Sequence, residues 1–186
     1  MILASGSGSN AENIADYFRD HKEIEVSLIG SNTTSAYVLE RAKKLSIDSF
    51  TFSANELKNS ALKEKWKTKN IDYIILAGFL LKIPDWLIQE FPDKIINIHP
   101  ALLPSYGGKG MYGDRVHQAV YDHKENQTGI TIHLVNENYD EGRIIFQKNV
   151  MLSPSDLPAD IAKKVHTLEY QYFPPIIEDY ILSHTS

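Results

Sequence analysis

The chain has 186 residues, 42% hydrophobic and 23% charged, the proportions of an ordinary globular protein able to bury one sizeable core. Asp+Glu 24 against Lys+Arg 19 leaves a net charge of -5, which argues against sequence-nonspecific nucleic-acid binding. Without cysteine there is no disulfide framework, thiolate zinc site or cysteine nucleophile, and the start "MILASGSGSN" carries no cationic leader, so a cytoplasmic protein with no membrane or nucleic-acid partner is expected.

Short apolar β-type runs alternate with helical patterns, which predicts an α/β fold with a Rossmann-like, mostly parallel twisted sheet and flanking helices. Ile2 to Ala4 is a stub of a strand before a glycine turn. The strands expected after it are Glu25–Gly30, Asp48–Phe52, Tyr73–Ala77 and Lys94–Ile98, with helices at Asn10–His21, Tyr37–Leu45, Ala61–Lys69 and Pro84–Phe91. "YIILA", residues 73–77, is apolar without alternation, the pattern of a strand covered on both faces, and belongs in mid-sheet. Farther on, Arg115–His123 reads as a helix, and "TGITIHLV" and "RIIFQKNV" read as an antiparallel hairpin joined by "NENYDEG". Last comes a helix from Asp156 to about Leu182, where Ile161, Val165, Leu168 and Tyr172 recur at helical spacing. "FPP" at 173–175 is expected to kink or split it. With no repeat or linker, 1–186 reads as a single domain.

Three features carry chemistry. "ASGSGSN", residues 4–10, lies between a strand and a helix, where small residues let backbone N–H groups converge on an anion at the positive end of the helix. It lacks both the GxGxxG spacing and the lysine of a Walker A loop; the plainer reading is a tight turn with Ser9 or Asn10 as helix cap. In "NIHP", Asn97 and His99 are two residues apart and so on one side of an extended chain, at the carboxyl edge of a strand where α/β sheets bind ligands. An amide that cannot titrate beside an imidazole that can suits a carbonyl becoming a tetrahedral oxyanion; no serine or cysteine is evidently paired with His99, so the substrate would supply the nucleophile. The plainer reading is a histidine with a structural hydrogen bond. Asp140, in the hairpin turn, is either an ordinary turn former or a carboxylate that raises the pKa of His99 and orients its ring.

"SGSGSN", "LAGFLLKIP", "NIHPALLPSY" and "TGITIHLVNENYDEGRII", in that order and over nearly the whole chain, resemble the folate-dependent formyltransferases, especially the purine-biosynthetic branch. The resemblance implies transfer of the formyl group of 10-formyltetrahydrofolate to the amine of 5-phosphoribosylglycinamide (glycinamide ribonucleotide), with no metal, by a monomer or homodimer. It implies Asn97, His99 and Asp140 as the catalytic set and His133 as a secondary member. Gly8, Ser9 and Asn10 fall on the family's phosphate loop. His166 and Glu169, three apart on one helix face, fall on its ribose side. Leu80, Leu81, Lys82 and Ile83 line the folate, and Asn97 and the turn with Tyr139 and Asp140 complete the folate pocket. On this basis residues up to about 96 form the phosphate-binding part and about 97–186 the folate and catalytic part.

The chain also departs from the family pattern. Between Pro104 and Gln118 its loop, with "GGKGMYG", is a few residues longer than in the best-known members and is expected to shape access to the site. No basic residue clearly matches the one that meets the folate tail; Lys58 and Lys63 are only nearby. His117, on a predicted helix, is expected to be partly exposed. The expected mechanism has a neutral amine attacking the formyl carbon while Asn97 and protonated His99 stabilise the oxyanion and Asp140 holds the imidazolium. A formyltetrahydrofolate hydrolase or another folate-dependent formyltransferase shares the set; those relatives carry an additional domain, and a non-catalytic binding module would lack Asn97, His99 or Asp140.

Overall fold

The computed structural model describes residues 1–63, 66 and 68–184. Its strands are β1 (Ile2–Leu3), β2 (Leu28–Ser31), β3 (Asp48–Thr51), β4 (Ile74–Leu76), β5 (Ile95–His99), β6 (Gln127–Leu134) and β7 (Ile144–Met151). They form one seven-stranded, mostly parallel sheet in the order β3-β2-β1-β4-β5-β6-β7, the α/β architecture the alternating pattern predicts. The helices are α1 (Ser9–Tyr17), α2 (Tyr37–Lys44), α3 (Ala54–Lys58), α4 (Asp85–Glu90), α5 (Asp114–Asp122) and α6 (Pro158–His184). Two compact units divide the chain, Met1–Ile96 and a second that begins at Asn97.

In the first unit β1 lies between two parallel partners: Ile2 faces Ile29 and Ile75 across the ladders, and Leu3 faces Gly30 and Leu76. All residues of β1, β2 and β4 are buried, so "YIILA" does lie in mid-sheet. The strand expected from Glu25 begins only at Leu28, because β1 offers just Ile2 and Leu3 to pair with it. Helix α1 buries Ala11, Ile14 and Ala15, and α2 buries Val38 and Ala42, each at helical spacing. Helix α3 is an addition to the expected elements. Ser53 accepts from the Glu56 N–H and the Glu56 carboxylate accepts from the Ser53 N–H, a capping box that "SANE" spells out in sequence. Of the helix expected at Ala61–Lys69, residues 64, 65 and 67 lie outside the described residues.

In the second unit β6 and β7 pair antiparallel, Thr128 with Val150 and Ile132 with Phe146. The register shifts at Ile132/His133, where His133 faces Ile144, and such a bulge re-aims the side chains beside it. Every residue of β6 after Gln127 is buried. Helix α6 is one helix of 27 residues that runs through Pro174 and Pro175, against the expected split. Each interior proline costs roughly 3 kcal/mol, about 6 for the pair, and burying Phe173 and Ile177 returns about 1.5–3 kcal/mol each, which offsets much of that cost. Among the described residues no helix is long and apolar enough to cross a membrane.

Candidate active site

Because β5 is extended, Asn97 and His99 project to the same side, between the buried Ile96 and Ile98 and beyond. The Nδ2 of Asn97 lies 3.0 Å from Nε2 of His133. His133 Nδ1 is 2.8 Å from the Leu134 carbonyl oxygen, which can only accept, so Nδ1 carries the hydrogen of the neutral ring and Nε2 accepts from the Asn97 amide. That contact fixes which end of the amide bears the donors. The second N–H of Asn97 is then oriented for an incoming oxygen.

Asp140 brings the histidines together. Its Oδ2 is 3.6 Å from His99 Nδ1 and its Oδ1 is 3.6 Å from His133 Nε2. The Gly108 N–H donates to Oδ2 at 2.9 Å, and His99 Nε2 donates to the Tyr106 carbonyl at 2.7 Å. Asp140 sits at φ 57, a left-handed conformation that Asp tolerates better than most residues and that turns its carboxylate back onto the two imidazoles. Gly142 is needed two residues on, where a Cβ would overlap the Leu134 carbonyl oxygen.

Burial drives the His99 pKa down; Asp140 and the Tyr106 carbonyl push it up but do not outweigh the loss of water, so the net shift is downward. The sign expected from the Asp140 charge alone is thus reversed by burial, and His99 rests neutral near pH 7. For Asp140 burial pushes the carboxyl up, yet the His133 and His99 imidazoles and the Gly108 N–H together hold it below its ordinary value. The resting site therefore sets a carboxylate beside the neutral His99 ring. When a reaction generates a proton, the Asp140 charge offsets part of the cost of placing it on the buried His99.

Also in the second unit, α6 presents His166 and Glu169 one turn apart. His166 Nδ1 lies 2.8 Å from Glu169 Oε2, and the Glu169 side chain is buried to 6% exposure. That hydrogen bond, ahead of the opposing effect of burial, raises the His166 pKa. The ring of His117 on α5 stands edge-on to His166 with centroids 6.3 Å apart. Its expected partial exposure is not found: His117 is 3% exposed, because it shares the buried face of α5 with Val116 and Val120. Tyr139 is exposed beside Asp140.

In the first unit, Gly8 caps α1 in a left-handed conformation, φ 73, with no side-chain cap, so Ser9 and Asn10 are the first helical residues and not the cap. A Cβ at Gly8 would overlap the Val38 side chain, so only glycine fits the approach of this turn to α2. The loop is held on several sides: Ser5 N–H donates to Gly78 O, Val38 N–H to the Gly6 carbonyl, and Arg41 Nε to the Ser7 carbonyl while its guanidinium pairs with Glu12. Ser5 Oγ accepts from the Leu80 N–H at 2.9 Å, tying the glycine turn to residues 80–83. Along that segment Leu80 is exposed, Leu81 half-buried, Lys82 exposed and Ile83 buried. Lys63 pairs with Glu90 at 2.6 Å.

A family model described as Formyl transferase matches residues 1–177. The chain belongs to the formyl transferase family. Its relatives include the chloroplastic phosphoribosylglycinamide formyltransferase of Arabidopsis thaliana, 37% identical over 95% of this chain and 63% of that protein, so the chain spans under two thirds of that relative's length. The phosphoribosylglycinamide formyltransferase of Bacillus subtilis is 33% identical over 95% of this chain and 91% of its own. Among solved structures, the phosphoribosylglycinamide formyltransferase of Bacillus halodurans superposes with a TM-score of 0.88 at 29% identity, covering 100% of this chain and 95% of that one. The Streptococcus pneumoniae structure of the same name gives 0.85 at 30% identity, covering 97% of each chain.

In this formyl transferase the structure brings Asn97, His99, His133 and Asp140 into one cluster, and His166 and Glu169 into one hydrogen-bonded pair. Two members of the cluster lie outside the sequence expectations, the Tyr106 carbonyl and the Gly108 N–H. Backbone groups leave no mark in residue type, although the positive φ of Gly108, 94, is one that glycine adopts freely; Tyr106 holds a positive φ of 58 without being glycine. The loop after Pro104 thus supplies one hydrogen-bond partner to His99 and one to Asp140.

Proposed function

We propose that the chain is a phosphoribosylglycinamide formyltransferase, moving the formyl group of 10-formyltetrahydrofolate to the glycinamide amine of 5-phosphoribosylglycinamide in purine biosynthesis. The observation that carries the catalytic reading is Asp140, at 3.6 Å from both His99 and His133 while His133 orients the Asn97 amide. Gly8, Ser9 and Asn10 take the substrate phosphate; Glu169, with His166, takes ribose hydroxyls; the segment Leu80, Leu81, Lys82 and Ile83 takes the pterin, with Tyr139 at the rim. The substrates are small and soluble, and a cytoplasmic monomer or homodimer suits them.

The neutral amine attacks the formyl carbon and the carbonyl π pair moves to oxygen, where the free Asn97 N–H stabilises the charge. His99, neutral at rest, takes the amine proton, and Asp140 stabilises the imidazolium that results. The proton then passes to folate N10 as the C–N10 bond breaks, releasing formylglycinamide ribonucleotide and tetrahydrofolate. Holding both substrates in line makes the attack effectively intramolecular. The test is to mix purified protein with 10-formyltetrahydrofolate, with and without glycinamide ribonucleotide, and follow both products. Formyl transfer that requires the acceptor is the expected result; deformylation at the same rate without it would make water the acceptor and sink the proposal.

A further inference from the structure

His117 is buried, yet its Nδ1 has no hydrogen-bond partner among the described residues. Buried polar atoms in folded proteins are nearly always paired, and an orphan of this kind calls for an explanation, a functional role among them. Its surroundings are those of a site. The ring packs edge-on against His166, which is hydrogen-bonded to the buried Glu169, and Asp114 opens the same helix α5. Burial, and then the nearby His166, lower the His117 pKa, while Glu169 and Asp114 raise it and His99 lowers it further. The ring is therefore neutral near pH 7, able to donate at one nitrogen and accept at the other.

We propose that His117 is a substrate-binding residue, its buried Nδ1 hydrogen-bonding the amide that joins the ribose to the amine of bound glycinamide ribonucleotide. This inference rests on the function proposed above. Glu169, a buried carboxylate, suits the ribose hydroxyls, and His99 stands at the reacting amine; both lie near enough to His117 to bear on its titration. What the substrate offers between its ribose and its amine is one neutral amide, with one donor and one acceptor. A neutral imidazole matches that group, whereas a phosphate would call for a cation. His117 then sets where the glycine arm lies, and so where the amine meets the formyl carbon.

The test uses two variants of the full chain. His117→Phe keeps a ring against His166 and removes both nitrogens; His117→Asn places an amide atom near the position of Nδ1. Steady-state kinetics should show KM for glycinamide ribonucleotide raised about tenfold in His117→Phe, equal to about 1.4 kcal/mol and the size of one lost hydrogen bond. KM for 10-formyltetrahydrofolate should stay within twofold, and His117→Asn should recover most of the acceptor affinity. A structural role would instead move both KM values together or lower Tm without separating the substrates, and either result overturns the proposal, as does an unchanged acceptor KM in a His117→Phe protein with wild-type Tm. Calorimetric binding of glycinamide ribonucleotide to the wild-type protein separates the two readings. Absent binding there refutes the function itself, whereas wild-type binding that His117→Phe retains in full refutes only the His117 contact.

Discussion

Replacing Asp140 by Asn isolates the charge of the cluster from its shape. Asn is nearly isosteric, tolerates the left-handed φ of 57 at this position and keeps an oxygen to accept from the Gly108 N–H. What it removes is the negative charge 3.6 Å from His99 Nδ1. At an effective dielectric of 20, opposite unit charges at that separation attract by about 4–5 kcal/mol. Relaxation and the polar Asn side chain return part of this, leaving roughly 2–3 kcal/mol of lost stabilisation for the imidazolium, or a fall in kcat of about 30- to 150-fold. The His99 pKa, already below 6.5, should fall further because the group that raises it is gone, so the acid limb of the kcat/KM profile should move to lower pH. The assay is formyl transfer across a pH series, with both substrates saturating for kcat and the acceptor varied for kcat/KM, and with Tm measured to verify folding. A kcat within about threefold of wild type, or an acid limb shifted upward, would refute the role given to Asp140.

Two further outcomes follow from the same structure. Gly142→Ala places a methyl group against the Leu134 carbonyl oxygen, and the turn that carries Asp140 must distort; Tm should drop by roughly 5–10 °C, corresponding to about 2 kcal/mol or more, and an unchanged Tm would contradict the geometry. Glu169→Gln removes the partner that raises the His166 pKa, so the value titrated by NMR should fall toward 6.5 and the acceptor KM should rise. A raised folded-state pKa stabilises fully below the unfolded value of 6.5 and loses that contribution as pH rises through the folded value; the stability gap between wild type and Glu169→Gln, read from denaturant melts, should therefore be larger at pH 6 than at pH 9.

How much was legible in advance depends on the range of the forces involved. Burial on both faces of β4 followed from an unbroken apolar run, and the hairpin of β6 and β7 from two β-type runs with a short polar turn, because side-chain period and turn chemistry are local. Helix α3 was equally local, written in the capping box of Ser53 and Glu56, but a helix of Ala54–Lys58 is too short to announce itself by periodicity. Of the kink or split expected at residues 173–175, the split is not found because tertiary burial of Phe173 and Ile177 overrode a local propensity, and the exposure expected of His117 failed because α5 turns that face inward.

By itself the sequence determined the alternation of strand and helix, the glycine turn before α1, and the pairing of Asn97 and His99 on one side of a strand, since two-residue periodicity needs no tertiary partner. Its motifs also pointed to the family. Only the tertiary structure decided that His133 orients the Asn97 amide, that the backbone of Tyr106 and Gly108 anchors His99 and Asp140, and that burial outweighs a carboxylate in setting the charge of His99. Desolvation and hydrogen-bond direction depend on which atoms surround a group, and residues distant along the chain supply those atoms.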